Sequence, residues 1–235
     1  MVDAVLAPGT VTVRDPGLRN QLANVLRLAV GDAVVLCDGR GTEANAAILG
    51  FAANATDFAI DLVSPNAAES AARVTLYCAV LKRENFEIVV QKATEAGAAR
   101  IVPVVTRRTV KTGLRLDRLG KIAKEAAEQS GRGILPVVAE PLSFKDALAD
   151  AVANRSNVLF ELGGRRLDAR SFFPAGGSVG VWIGPEGGWD DDEVAQCREK
   201  GFVVATLGPR TLRAETAAVV ATFLAASSGD GNSQD

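Results

Sequence analysis

The chain has 235 residues, 48% of them apolar, a formal net charge of −2 and no histidine at all. The absence of histidine excludes Ser-His-Asp and Cys-His nucleophile systems, imidazole acid–base chemistry and the usual zinc sites, and the near-neutral charge excludes a uniformly basic nucleic-acid coat. With no apolar run near the roughly 18 residues that span a bilayer, no basic and apolar secretory start, and Cys37, Cys78 and Cys197 lacking C-x-x-C spacing, a cytoplasmic protein with buried thiols, no membrane span and no metal is expected.

Taken in order, residues 1–63 read as short strands and turns, with strands over 33–37, 43–49 and 58–63 and the D-G turn of DGRG at 38–41. One helical stretch over 16–27 places Leu18, Leu22, Val25 and Leu26 on one side. Short strands with one helix predict a small β-barrel domain, and the polar, small-residue stretch 64–73 predicts a linker. From residue 74 onward strands and helices alternate. Strands are expected over 74–81, 101–105, 158–162, 179–183 and 202–206, and helices over 84–96, 116–130, 144–153, 191–200 and 215–226. Gly97 closes the first of these helices, and Ser143 with Asp146 opens the third. Such alternation predicts a mostly parallel sheet covered by helices on both faces, an α/β domain over 74–228. The polar end, residues 229–235, is expected to be disordered.

Charge is unevenly spread. Between Arg100 and Arg132 stand nine basic residues against three acidic ones, a local excess of six. That stretch reads either as a solvated helix face or as a patch that tracks a phosphate backbone, and the lack of balancing acids between Arg100 and Arg115 favours RNA.

Two glycine-rich turns near the C-terminus carry the most chemistry: GPEGGW at 184–189 and LGPRTLRAET at 207–216. Each follows a short apolar strand and opens a helix, an arrangement that lets backbone N–H groups approach a ligand closely. The helix after the first turn starts with Asp190, Asp191, Asp192 and Glu193. Asp190 and Glu193 have capping-box spacing, and the four acids together would repel a pyrophosphate at that terminus. Neither turn carries a P-loop pattern, so ATP and NAD are poor candidates.

GPEGG with its acidic helix start, followed by LGPRTLRAETA, resembles the signature of the SPOUT class of RNA methyltransferases. More narrowly it resembles the ribosomal small-subunit RNA methyltransferase E family. Segments 24–32, 81–97, 100–108 and 124–132 read like that family's motifs in the same order. The resemblance implies a PUA-like RNA-binding domain over 1–63 and a SPOUT domain over 74–228 with a deep C-terminal trefoil knot, an architecture periodicity alone would never propose. It implies a homodimer, and a reaction in which S-adenosyl-L-methionine (SAM) methylates N3 of a uridine in 16S rRNA within an assembled or nearly assembled small subunit. A cationic, phosphate-free cofactor suits the acidic turns.

The resemblance further implies that SAM lies between three loops: Glu161, Leu162 and Gly163; Gly184, Pro185, Gly187 and Gly188; and Leu207, Gly208, Leu212, Ala214 and Thr216. Arg213, Glu215 and Arg210 are the expected catalytic residues. Glu215 accepts the N3 proton, or else serves as a first-turn acid paired with an arginine. Arg27, Lys82, Arg83, Arg107, Arg108 and Arg132 are the expected RNA contacts. Asn20 and Gln21 stand where the family carries histidine before its VLR motif, and Trp189 stands where a smaller apolar residue is frequent. Other readings are a SPOUT enzyme acting on another RNA such as tRNA, and a silent RNA-binding assembly factor.

Overall fold

Ala44, Ala46 and Ile48, and then Phe58 and Ile60, are buried at every second position, the period of a strand with one face in a core. They belong to the first of two units in the computed structural model, which describes residues 1–110, 113–166, 173 and 177–228 and every described side chain except that of Arg83. The first unit comprises Met1–Glu69 with Gly131–Leu135, and the second Ser70–Ser130 with Pro136–Asp235.

In the first unit, β1 (Gly9–Val13), β2 (Ala33–Cys37), β3 (Thr42–Phe51) and β4 (Thr56–Pro65) form an antiparallel sheet in the order β1-β4-β3-β2. The ladder is an open path of four strands and not the expected barrel, and β1, a short TVTV alternation, pairs with β4. Helix α1 (Pro16–Asn20) begins at Asp15, whose carboxylate accepts the Gly17 and Leu18 N–H groups at 2.8 and 3.0 Å, with Pro16 in the first turn. It continues as a π-turn (Gln21–Val25), so the expected helix over 16–27 stops short of Arg27, which takes a left-handed φ of +58°.

The stretch Gly131–Leu135 is held to this unit by its backbone. Gly41 N–H donates to the Gly133 carbonyl at 3.0 Å and Leu135 N–H to the Gly39 carbonyl at 3.0 Å. Arg132 is 4% exposed, and its Nη2 bonds Glu69 Oε2 at 2.8 Å. Arg132, an expected RNA contact, thus has its guanidinium in a buried ion pair that ties the stretch down.

The second unit is a parallel sheet in the order β11-β9-β10-β5-β6-β7, formed by β5 (Ala72–Ala79), β6 (Ala98–Val105), β7 (Val137–Val138), β9 (Ser156–Arg166), β10 (Gly177–Ile183) and β11 (Val203–Thr206), with β8 (Leu142–Ser143) also beside β6. Helices cover both faces, as alternation predicts. On one face Val74, Leu76 and Cys78 of β5 pack with α2 (Arg83–Glu95), α3 (Leu116–Gln129) and the final helix α6 (Ala214–Ser227). On the other, Tyr77 stacks on Trp182 at 4.3 Å and joins Phe144 of α4 (Phe144–Asp150) and Val194 of α5 (Asp191–Glu199). The expected helix over 144–153 ends in a 3-10 turn from residue 151. The two-residue strands β7 and β8 were too short to be read, and the 229–235 tail lies outside the described residues.

Candidate cofactor and active site

Ligands of open parallel sheets sit at the carboxyl ends of the strands, and here two of the three expected loops leave the ends of β10 and β11, while the first is an arch within β9 beside them. The first is made by a break in pairing. Strand β11 pairs with Val158 and Leu159, then resumes at Arg165 and Arg166, so residues 160–164 arch out of that ladder. Gly164 makes the return possible, because a Cβ there would stand 2.5 Å from the Ala205 backbone.

The second loop is a turn closed by Gly188 N–H donating to the Pro185 carbonyl at 2.9 Å, with Gly188 at φ +72°. It rests on Trp189, which is 3% exposed, lies 3.1 Å from where a Gly184 Cβ would be, and donates Nε1–H to the Phe160 carbonyl at 3.1 Å. The indole therefore fastens the second loop to the first. Asp190 and Glu193 form the capping box of α5, with Asp190 N–H bonded to Glu193 Oε2 at 3.0 Å. In the third loop the Thr206 hydroxyl bonds the Gly208 carbonyl at 3.1 Å, and the chain enters α6 with Arg213 as N-cap and Glu215 in the first turn.

The three loops share a cavity of about 720 Å³, within the roughly 300–1,000 Å³ of small-molecule sites. Of the expected cofactor residues, Glu161, Leu162, Gly163, Gly184, Pro185, Gly187, Gly188, Leu207, Leu212 and Ala214 line it; Gly208 and Thr216 do not. Arg210, Arg213 and Glu215 line the same cavity. Arg213 Nη1 lies 3.9 Å from Glu215 Oε1, with the arginine side chain 87% exposed and the carboxylate 14%. Lys82 lines it too, whereas the Arg83 side chain lies outside the described residues. Glu186 and Asp191 add negative charge to the lining.

Cys78 lies in the core beneath the loops, and burial pushes its thiol far up, with the charges of Glu186 and Glu215 adding to the effect. It stays a protonated core residue and no nucleophile. Among the described residues no group of three His, Cys, Asp or Glu is placed to hold a metal, and no helix is long and apolar enough to cross a membrane.

Two lining residues come from outside the three loops in a role the sequence did not suggest: Asn85 was not singled out, and Arg108 was expected on RNA. Asn85 enters from the first turn of α2, and Arg108 from the turn after β6. Both sit far in sequence from the glycine turns, and only the parallel pairing of β5 with β6 and β10 brings their strand ends to the cavity. Arg107, expected on RNA, instead bonds Asp190 at 2.5 Å and Asp192 at 2.9 Å.

Residues 68–226 match the family model of an RNA methyltransferase domain, and residues 22–50 that of an RNA methyltransferase PUA domain. A ribosomal RNA small subunit methyltransferase E of Synechocystis is 37% identical over 220 residues, covering 90% of this chain and 71% of that protein. Two solved structures superpose closely. A ribosomal RNA small subunit methyltransferase E from Neisseria gonorrhoeae bound to SAM has a TM-score of 0.84 at 30% identity, covering 94% of this chain and 93% of that one. A methyltransferase from Legionella pneumophila in complex with SAM has a TM-score of 0.83 at 26% identity, covering 96% and 95%. With sequence and fold agreeing over nearly the full length, the chain belongs to the ribosomal RNA small subunit methyltransferase E family of RNA methyltransferases.

Proposed function

We propose that this chain uses SAM to methylate N3 of a uridine in the 16S rRNA of the small ribosomal subunit. The observation that carries the reading is the cavity shared by all three loops, with Arg210, Arg213 and Glu215 in its lining. The cofactor fits the residues present. Glycines at 163, 184, 187 and 188 leave the backbone open to adenine, ribose and methionine groups, and the carboxylates of Glu161, Glu186 and Asp191 suit a cation. SAM, when bound, supplies an electrophilic methyl group on a cationic sulfonium.

The chain's own part is positioning and one proton. Methyl transfer is an in-line displacement, so the loops and the RNA-holding residues chiefly align the uracil ring and exclude water. Uracil N3 carries a proton that must leave, and the Glu215 carboxylate, mostly buried on the cavity wall, accepts it. The exposed guanidinium of Arg213, or that of Arg210, stands where substrate enters and stabilises negative charge spreading to the uracil oxygens, which acidifies N3.

The same reading places the PUA-like domain at 1–63, a linker at 64–73 and the catalytic domain at 74–228, with the segment leading into α6 threaded as a deep trefoil knot. Two copies pair through α6 in the cytoplasm. Val220 and Phe223 of that helix and Ile88 of α2 stay 37%, 57% and 44% exposed, which supports an apolar partner face. Arg27 and Lys82, both exposed, meet RNA phosphates.

The test incubates the purified protein with isotope-labelled SAM and small subunits lacking N3-methyluridine, then maps the label by mass spectrometry. Label on N3 of one 16S uridine is the expected result. Label only on another RNA, tRNA included, moves the substrate; SAM bound without transfer to any RNA overturns the catalytic reading in favour of a silent assembly factor.

A further inference from the structure

We propose that the turn after β6, residues 106–109, is a latch that holds the glycine-rich loop at 184–189 in its cofactor-binding shape, with Arg108 as the positioning residue. The inference rests on reading this cavity as the SAM site, and it moves Arg107 and Arg108 from RNA contact to cofactor-loop support.

Three connections join the turn to the loop and to the start of α5 that follows it. Arg108 Nη1 donates to the Gly187 carbonyl at 2.8 Å, while its Nη2 lies 3.8 Å from Asp190 Oδ2. Arg107 Nη1 bonds Asp190 Oδ1 at 2.5 Å and Asp192 Oδ2 at 2.9 Å. Between them Glu193, 5% exposed, accepts the Arg107 backbone N–H at 2.9 Å on one oxygen and the Asp190 backbone N–H at 3.0 Å on the other. One buried carboxylate thus staples the end of β6 to the N-cap of α5. The turn is itself stiffened: Thr106 N–H donates to Thr109 Oγ1 at 2.9 Å, and Thr109 N–H to the Thr106 carbonyl at 3.2 Å.

Physical chemistry assigns the latch its purpose. Gly187 and Gly188 have the widest backbone freedom of any residue and no side chains to anchor them. A charge-assisted bond to the Gly187 carbonyl removes that freedom before the cofactor arrives, and a loop already held in its bound shape binds more tightly. Arg108 Cδ also passes 3.6 Å from where a Gly187 Cβ would stand, so the aliphatic stem of the arginine lies in van der Waals reach of the turn. A phosphate, by contrast, would have to compete with the acids that already surround Arg107.

The test measures SAM affinity by calorimetry and affinity for a small-subunit RNA fragment across a salt series, for wild type, Arg108→Ala and Arg108→Lys. Arg108→Ala is expected to weaken SAM binding about tenfold, the loss of one hydrogen bond to a charged group, with the RNA salt slope unchanged. Amide exchange at 187–190 should rise while the thermal midpoint holds. Unchanged SAM affinity, with a salt slope shallower by about one, overturns the latch and makes Arg108 a phosphate contact. If Arg108→Ala does not fold, Arg108→Lys carries the test: one ammonium in place of the fork gives an intermediate SAM affinity, and wild-type affinity there overturns the proposal. A wild-type protein that binds no SAM removes both the latch and the reading on which it rests.

Discussion

Arg213 and Glu215 face the same cavity from opposite degrees of exposure, 87% and 14%, and that contrast assigns them different work. In the proposed reaction the exposed cation at the rim meets the incoming base, while the mostly buried carboxylate in the first helical turn is held in place by the helix that carries it. Arg213→Ala is expected to lower kcat about 100-fold while SAM affinity changes little; steady-state kinetics with a parallel SAM titration checks this, and equal losses in both would remove Arg213 from the chemistry. Arg27 offers a different kind of evidence. It is the one non-glycine residue at positive φ among those described, and the left-handed region costs an ordinary residue roughly 1 kcal/mol. Arg27→Gly should therefore leave thermal stability equal or higher while RNA binding weakens and its salt slope drops by about one. Lower stability would mean the φ serves the fold and not a contact.

At the scale of elements, the arch in β9 explains how a strand can both belong to the sheet and build a site. Residues 160–164 leave the β11 ladder, and the strand rejoins it only because Gly164 lets the two backbones meet. Gly164→Ala puts a methyl group 2.5 Å from the Ala205 backbone, and overpacking of this kind costs about 1–3 kcal/mol. Denaturant unfolding should register that loss together with weaker SAM binding, since the first loop shifts with the strand. A second element-level device ties α4 to the sheet: Arg100 Nη1 and the Tyr77 hydroxyl both donate to Asp150 Oδ2 at 2.6 Å. The bonds from Arg100 hold the Asp150 carboxyl below its ordinary value against the opposing effect of burial, with Tyr77 assisting. A depressed folded value means stability that is complete above the ordinary carboxylate range, near pH 4, and is lost as pH falls through the folded value. Asp150→Asn should accordingly be less stable at pH 7 and show a shallower loss below pH about 4 than wild type; parallel acid limbs would show the pair is not coupled to folding.

Across the whole molecule, the basic stretch between Arg100 and Arg132 turns out to be largely answered by acids from distant sequence. Arg100 pairs with Asp150, Arg107 with Asp190 and Asp192, Arg118 with Glu87, and Arg132 with Glu69. A one-dimensional charge count cannot see these partners, because they arrive with other strands and helices. If all nine basic residues of the stretch neutralised phosphates, single-stranded RNA affinity would fall with a log–log salt slope of about −6. The expected slope is about half that, measured by fluorescence titration between low and physiological salt, and a slope near −6 would show that the ion pairs give way to RNA.

The sequence by itself determined the parallel α/β class, the approximate place of nearly every long helix and strand, and the two glycine-rich turns of the cavity, while its third loop came from the family resemblance. These are local properties: apolar period, glycine turns, caps and motif spacing all lie within a few consecutive residues. Expected boundaries of α2, α3, α5 and α6, such as 116–130 for α3 (Leu116–Gln129), differ from the structure by a residue or two, whereas β6 begins three residues before its expected start and β9 runs four past its expected end, because strand ends are set by the neighbouring strand they pair with. Only the tertiary structure decided which arginines are committed to carboxylates, that Arg132 is sealed inside the first unit, that Asn85 and Arg108 reach the cavity, and that Trp189 fastens two loops together. Those outcomes depend on which strand ends adjoin, and strand order is set by burial of the whole sheet between its helix layers, a quantity no short window of sequence contains.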